Sequence, residues 1–182
     1  MMLLSHDDLI DLVSRKVIHP VDKSDINAAS IDIHLGDTLL VERTPKGYYH
    51  RIVDYRSRTP LIMDKHVMDE DGYVLEPGEF ILAQSAETFN LPTDISAEYK
   101  LKSSMARIGL EHMNAGWCDA GWNGSVLTLE LKNMTRYHSL RIRPGDAIGQ
   151  MIFFRHRAVP EQASYAAKGR YNNDTQVSGI KA

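Results

Sequence analysis

Cysteine is nearly absent: Cys118 is the only one in 182 residues. A lone thiol cannot close an internal disulfide, so the fold must rest on packing, and a reducing compartment such as the cytoplasm is expected. Long apolar runs are missing as well. None approaches the roughly 20 residues needed to span a bilayer. Met1–Asp11 also lacks the basic start and apolar stretch of a secretory leader. No membrane association is therefore expected. Charge of one sign is lacking too: 21 Lys and Arg stand against 24 Asp and Glu, a net of −3. That balance excludes a protein that coats nucleic acid, so any anionic ligand must be met by a local pocket. There is no internal repeat, heptad pattern or low-complexity segment.

The remaining composition, 43% hydrophobic and 25% charged, is that of an ordinary globular domain. The length suits one domain over residues 1–182 with a sizeable core. Ser5 and Asp8 form a capping pair ahead of an apolar helical face made by Leu9, Ile10, Leu12, Val13 and Val17, and Pro20 is expected to end that helix. Ala29–Gly36 alternates apolar and polar residues as a half-buried strand closed by glycine. Residues 44–72 are polar and turn-rich, with short strands expected at Tyr48–Val53 and Leu61–Met63. Arg51, Arg56 and Arg58 there read as a solvated face. Further strands are expected at Phe80–Ala83, Ile95–Leu101, Leu140–Ile142 and Ala147–Phe154, with Pro-Gly turns at Glu76–Glu79 and Arg143–Asp146. The tail from Ala158 is polar and expected to order when a ligand binds. Many short strands with regular turn signals and few helical windows predict a mainly β barrel or sandwich with a short N-terminal helix.

Chemistry concentrates between Lys102 and Asn133. Ser103 and Arg107 share one face of a short helical turn. A helix start with an adjacent guanidinium suits phosphate, though Ser-Ser here serves equally as an N-cap. Val126, Leu127, Leu129 and Leu131 mark a buried strand that carries Glu130. A carboxylate there needs either a structural partner or a task, because burying it unpaired is costly.

Three ordered segments of this stretch, K-S-S-M-A-R-I-G, N-A-G-W-C-D-A-G-W-N-G and L-E-L-K-N, resemble the dCTP deaminase branch of the trimeric dUTPase-like superfamily. That branch reads R-S-S-L-A-R-x-G, T-A-x-x-x-D-P-G-x-x-G and L-E-x-x-N. Flanking segments resemble it too: S-I-D-I-H-L-G, L-E-P-G-E-F-I-L-A, P-G-D-A-I-G-Q and G-R-Y. His34 stands where the family often has Arg, and Asp32 is expected to have a structural partner. The likeness is weakest over residues 44–72.

The resemblance implies a distorted jelly-roll or β-clip barrel, a homotrimer with shared active sites, and hydrolytic deamination of dCTP to dUTP and ammonia. Glu130 would shuttle protons, Ser103 would position the water, and Arg107 would balance the charge. Lys102 and Ser104 would bind the triphosphate. Ala115, Gly116, Trp117 and Asp119 would face base and deoxyribose, and Thr128, Leu129, Tyr165, Arg170 and Asp174 would complete the substrate site. Magnesium would be carried on the triphosphate with no metal held by protein side chains. A zinc deaminase is excluded directly, since H-x-E and P-C-x-x-C are both missing.

Departures from the family pattern leave other outcomes open. Lys102 replaces an Arg and loses its fork geometry. Asn114 replaces a Thr, and Arg170 replaces a Lys. Asp174 falls where a phosphate-binding Gln is expected, and an acid there opposes a triphosphate. One residue is missing between Arg107 and His112. One is extra between Gly124 and Glu130, which is read as a β-bulge. The A-G-W-x-D loop resembles deaminases that go on to dUMP, so a bifunctional deaminase and diphosphatase is the alternative. A dUTPase or an inactive nucleotide-binding regulator fits less well with Ser103, Arg107 and Glu130 all retained.

Overall fold

The computed structural model describes residues 1–43 and 52–181. The first half contains β1 (Met2–Leu3), α1 (His6–Ser14), β2 (Ile18–His19), β3 (Ile31–Glu42), β4 (Met63–Val67), β5 (Tyr73–Leu75) and β6 (Phe80–Asn90). The second contains β7 (Ile95–Leu101), α2 (Ser103–Arg107), β8 (Leu110–Glu111), β9 (Trp117–Cys118), β10 (Asn123–Asn133), β11 (Leu140–Ile142), β12 (Ala147–Arg155) and α3 (Tyr165–Lys168). Among the described residues the main sheet runs β8-β10-β6-β3-β12-β7-β9, with β1 on β12, β2 on β6 and β4 on β3. A separate ribbon pairs β11 with β5. Neighbours are antiparallel, and the curled sheet is the mainly β, jelly-roll architecture expected.

Period-two alternation builds the core. On β3, Ile31, Ile33 and Leu35 are fully buried while Asp32 and His34 are only partly so. The same inward row continues through Leu129 and Leu131 on β10 and Ile148, Met151 and Phe153 on β12. Burying these side chains at about 1.5–3 kcal/mol each is the main term holding the sheet closed. Among the described residues no helix is long and apolar enough to cross a membrane.

Several boundaries differ from expectation. α1 stops at Ser14 rather than at Pro20, because Lys16 turns left-handed at φ 57° and sends Val17 and Ile18 into the core. At its other end the Ser5 N–H donates to Asp8 at 3.2 Å, as the capping pair implied. β3 runs on through Gly36 instead of closing there. The strand shifts register between Leu35 and Leu39, and a Cβ on Gly36 would lie 2.8 Å from Gln84 Cγ, so glycine lets β3 cross β6 closely. β6 extends to Asn90, well past Ala83. The strand expected at Leu61–Met63 begins instead at Met63. Of Tyr48–Val53, residues 48–51 lie outside the described residues, and Ile52 and Val53 are not in a strand. Arg51 also lies outside them, while Arg56 is exposed.

Candidate active site

β10 carries the central residue. Its neighbours Leu129 and Leu131 are fully buried on the core side, so Glu130 projects from the opposite face. There it lines a cavity of about 420 Å³ together with Thr128. Glu130 Oε2 is buried and has no hydrogen-bond partner in the protein. The nearest group is His112 Nε2 at 3.4 Å, itself buried and unpartnered. The His112 ring packs against Tyr99 with centroids 4.5 Å apart. The Tyr99 hydroxyl is likewise without a partner, and burial, followed by the charge of Glu87, pushes its pKa upward. Three unsatisfied polar atoms thus stack beneath one cavity. Buried polar groups are normally paired, and Glu130 departs from that while the rest of its side chain, 29% exposed, lines the cavity.

The register of β10 is irregular where it forms this wall. An extra residue sits between Asn123 and Ser125, at Gly124 with φ +63°. A second shift lies between Val126 and Thr128, but there the extra residues are on β6, because Val126–Thr128 spans Gln84–Thr88. The expected bulge is therefore at Gly124 itself. The irregularity nearer Glu130 belongs to the partner strand, where Ser85 Oγ accepts the Leu127 N–H at 2.8 Å. Behind this strand Glu87 is buried against His34, accepting its backbone N–H at 3.0 Å and meeting Nδ1 at 2.8 Å. Burial raises the Glu87 pKa, and the His34 hydrogen bonds oppose that rise.

β9 and the residues on either side of it supply a second wall through Ala115, Trp117 and Asp119. The Trp117 indole N–H donates to Asp119 Oδ1 at 2.8 Å and fixes that carboxylate. Between them Cys118 turns inward. Burial, with Asp119 adding, pushes its thiol up to about 12, so it stays protonated and supplies no nucleophile. The tail forms the third wall with Tyr165, Tyr171 and Asp174. It lies along β10: the Trp122 indole N–H donates to the Tyr171 carbonyl at 2.8 Å, and the Asn173 N–H donates to the Asn123 carbonyl at 2.9 Å. Gly124 permits this approach, since a Cβ there would stand 2.6 Å from Asn173 Oδ1. Trp122 and Gly124 thus seat the tail along β10.

The dCTP deaminase-like family model matches residues 3–156. The chain belongs to that family. It is 32% identical over 161 residues to a dUMP-forming dCTP deaminase of Hydrogenobaculum sp., covering 87% of this chain and 85% of the relative. It is 36% identical over 182 residues to a dUMP-forming dCTP deaminase of Methanospirillum hungatei, covering 97% and 94%. Among solved structures, the 2′-deoxycytidine 5′-triphosphate deaminase of Agrobacterium tumefaciens superposes with TM-score 0.66 at 24% identity. That match covers 88% of this chain, which spans half of the Agrobacterium chain at 50%. A phage phi11 dUTPase mutant superposes with TM-score 0.50 at 15% identity, covering 80% of this chain and 88% of its own. At these identities the two structures speak to fold alone.

The family motifs divide into two groups in space. Ala115, Trp117, Asp119, Thr128, Glu130, Tyr165 and Asp174 meet around the cavity. Lys102, Ser103, Ser104 and Arg107 do not line it. Ser103, Ser104 and Arg107 stand exposed on α2. The Lys102 ammonium is paired within the chain to Asp32, which also accepts from Asn27 at 2.8 Å. Asp32 is only 15% exposed at its side chain, and in this protomer Lys102 is the cation beside it. Three other expected residues, Leu129, Gly116 and Arg170, do not line the cavity either. Leu129 faces the core, and Gly116 is packed behind the wall with its carbonyl accepting the Tyr99 N–H at 2.8 Å. Arg170 is exposed away from the cavity. His112, 3.4 Å from Glu130, is the residue that sequence reasoning missed, and the spacing defect before it was its only trace.

Among the described residues no three His, Cys, Asp or Glu side chains come together as a metal cage. Asp119 is held by Trp117, and Asp174 by Lys181 and Ser178.

Proposed function

We propose that this protein hydrolytically deaminates dCTP, with water adding to C4 of cytosine and ammonia leaving, to give dUTP. The observation that carries this reading is Glu130, which lines a nucleotide-sized cavity and has one buried oxygen without a hydrogen-bond partner, in a chain of the dCTP deaminase-like family. Glu130 takes a proton from the attacking water and passes it to N3, then takes the proton of the new C4 hydroxyl and gives it to the amine as the C4–N bond breaks and the carbonyl forms. His112 at 3.4 Å shields and orients that carboxylate. Trp117 and Asp119 hold base and sugar, and Tyr165 covers the deoxyribose side. When bound, magnesium on the triphosphate oxygens neutralises part of their charge.

Ser103 and Arg107 enter the same reaction from a neighbouring copy. Their exposure on α2, apart from this chain's own cavity, supports a homotrimer in which each site takes Glu130 from one protomer and α2 from the next. Ser103 then positions the water, and Arg107 offsets the charge that develops at the reacting ring.

A second reading is favoured by the dUMP-forming relatives at 32% and 36% identity and by this chain's own A-G-W-x-D loop. In it the same site also cleaves diphosphate from the nucleotide, releasing dUMP. Following ammonia together with phosphorus NMR of a dCTP reaction separates the two. Ammonia with intact triphosphate supports the first, and pyrophosphate appearing in step with ammonia supports the second. Absence of ammonia sinks both.

A further inference from the structure

The tail between Asp174 and Lys181 is closed by its own side chains. Asp174 Oδ1 pairs with the Lys181 ammonium, and Oδ2 accepts from Ser178 Oγ at 3.1 Å. Asp174 is fixed to β10 at both backbone positions. Its N–H donates to Ser125 Oγ at 3.1 Å, and its carbonyl accepts the Val126 N–H at 2.9 Å. Lys181 is anchored more lightly. Arg58 Nη1 donates to its carbonyl at 3.2 Å, and its ammonium stands 5.4 Å from the Tyr171 ring centroid. Ser178, Gly179 and Ile180, the residues enclosed by this ion pair, line the same cavity as Glu130.

Taken alone, Asp174 opposes an anionic ligand. The pairing reverses that reading. The Lys181 side chain is 35% exposed while Asp174 is 15% exposed and bonded to β10 at both backbone positions, so the ammonium is the more accessible partner and the carboxylate the fixed one. A single carboxylate holds an exposed lysine only weakly. A polyphosphate offers several charged oxygens to the same ammonium and outcompetes one acid. The Arg170 carbonyl, 3.3 Å from Nζ, and Tyr171, which lines the cavity, are the ammonium's other contacts.

We infer that Lys181 is a polyphosphate-binding residue of this site, held in place by Asp174 until a polyphosphate takes over its ammonium. The inference rests on reading the cavity as a nucleoside triphosphate site, but its test needs no turnover.

Calorimetric titration of the full-length protein with inorganic tripolyphosphate and magnesium tests it, comparing wild type with Lys181→Gln and Asp174→Asn. Losing one charge-assisted contact should weaken binding by about 10- to 100-fold in Lys181→Gln. Asp174→Asn should bind at least as tightly as wild type, because the lysine has lost its competitor. Equal affinities for wild type and Lys181→Gln would overturn the inference, as would no binding by wild type. So would an Asp174→Asn variant weakened as much as Lys181→Gln, since the pair would then be only a brace. Ammonia release from dCTP by wild type is scored separately, so a failed deamination reading and a failed role for Lys181 remain distinguishable.

Discussion

Substituting Gly149 with alanine should damage the site from behind, and the size of the effect follows from the packing. Gly149 lies on β12, in the I-G-Q segment, directly against the ring of Tyr99. A Cβ there would stand 2.1 Å from Tyr99 Cε2 and 2.2 Å from Cζ, where carbon atoms pack best at about 3.5–4.0 Å. Tyr99 must yield by more than an ångström. Its retreat is limited, because its backbone N–H is bonded to the Gly116 carbonyl at 2.8 Å and its ring already touches His112. Overpacking of this kind costs about 1–3 kcal/mol, which at roughly 2–4 °C per kcal/mol for a chain of this size lowers Tm by about 2–12 °C. The displaced ring presses on His112, which stands 3.4 Å from Glu130. A misplacement of about 1 Å near a reacting group costs on the order of 100-fold in rate. Differential scanning fluorimetry and ammonia release, measured on the same preparation, check both effects. A Tm within about 1 °C of wild type with unchanged turnover would refute the packing argument, because it would mean that Tyr99 has room to move.

Glu130→Gln preserves shape but removes the base. Turnover should fall by about 10²- to 10⁴-fold while nucleotide binding largely persists, and near-normal ammonia release would remove Glu130 from the chemistry. Sharing of sites between protomers predicts complementation. Glu130→Gln and Arg107→Ala proteins, each inactive alone, should regain activity when unfolded together and refolded as mixed trimers, with about a quarter of sites carrying both native residues. No recovery, in mixed trimers verified by mass, would place Arg107 and Glu130 in the same protomer's site or Arg107 outside it.

What the sequence determined by itself was everything local. Alternation placed β3 and β12, Pro-Gly pairs placed the turns, and the ordered segments around Ser103, Asp119 and Glu130 identified the family. These properties depend on residues a few positions apart, so periodicity and motif spacing suffice to read them. The helix end at Ser14 and the continuation of β3 through Gly36 escaped such reading. The first depends on Val17 and Ile18 finding core space, and the second on how closely β6 approaches. The site shows the same division. Glu130 was legible as an acid inside an apolar strand. That His112 and Tyr99 lie stacked beneath it, that Lys102 is bound to Asp32 from a strand 70 residues earlier, and that Lys181 closes on Asp174 are contacts between distant segments. Only tertiary structure decides which charges neutralise one another, because Coulomb attraction depends on distance in space and on exclusion of water, and neither is written in the order of residues.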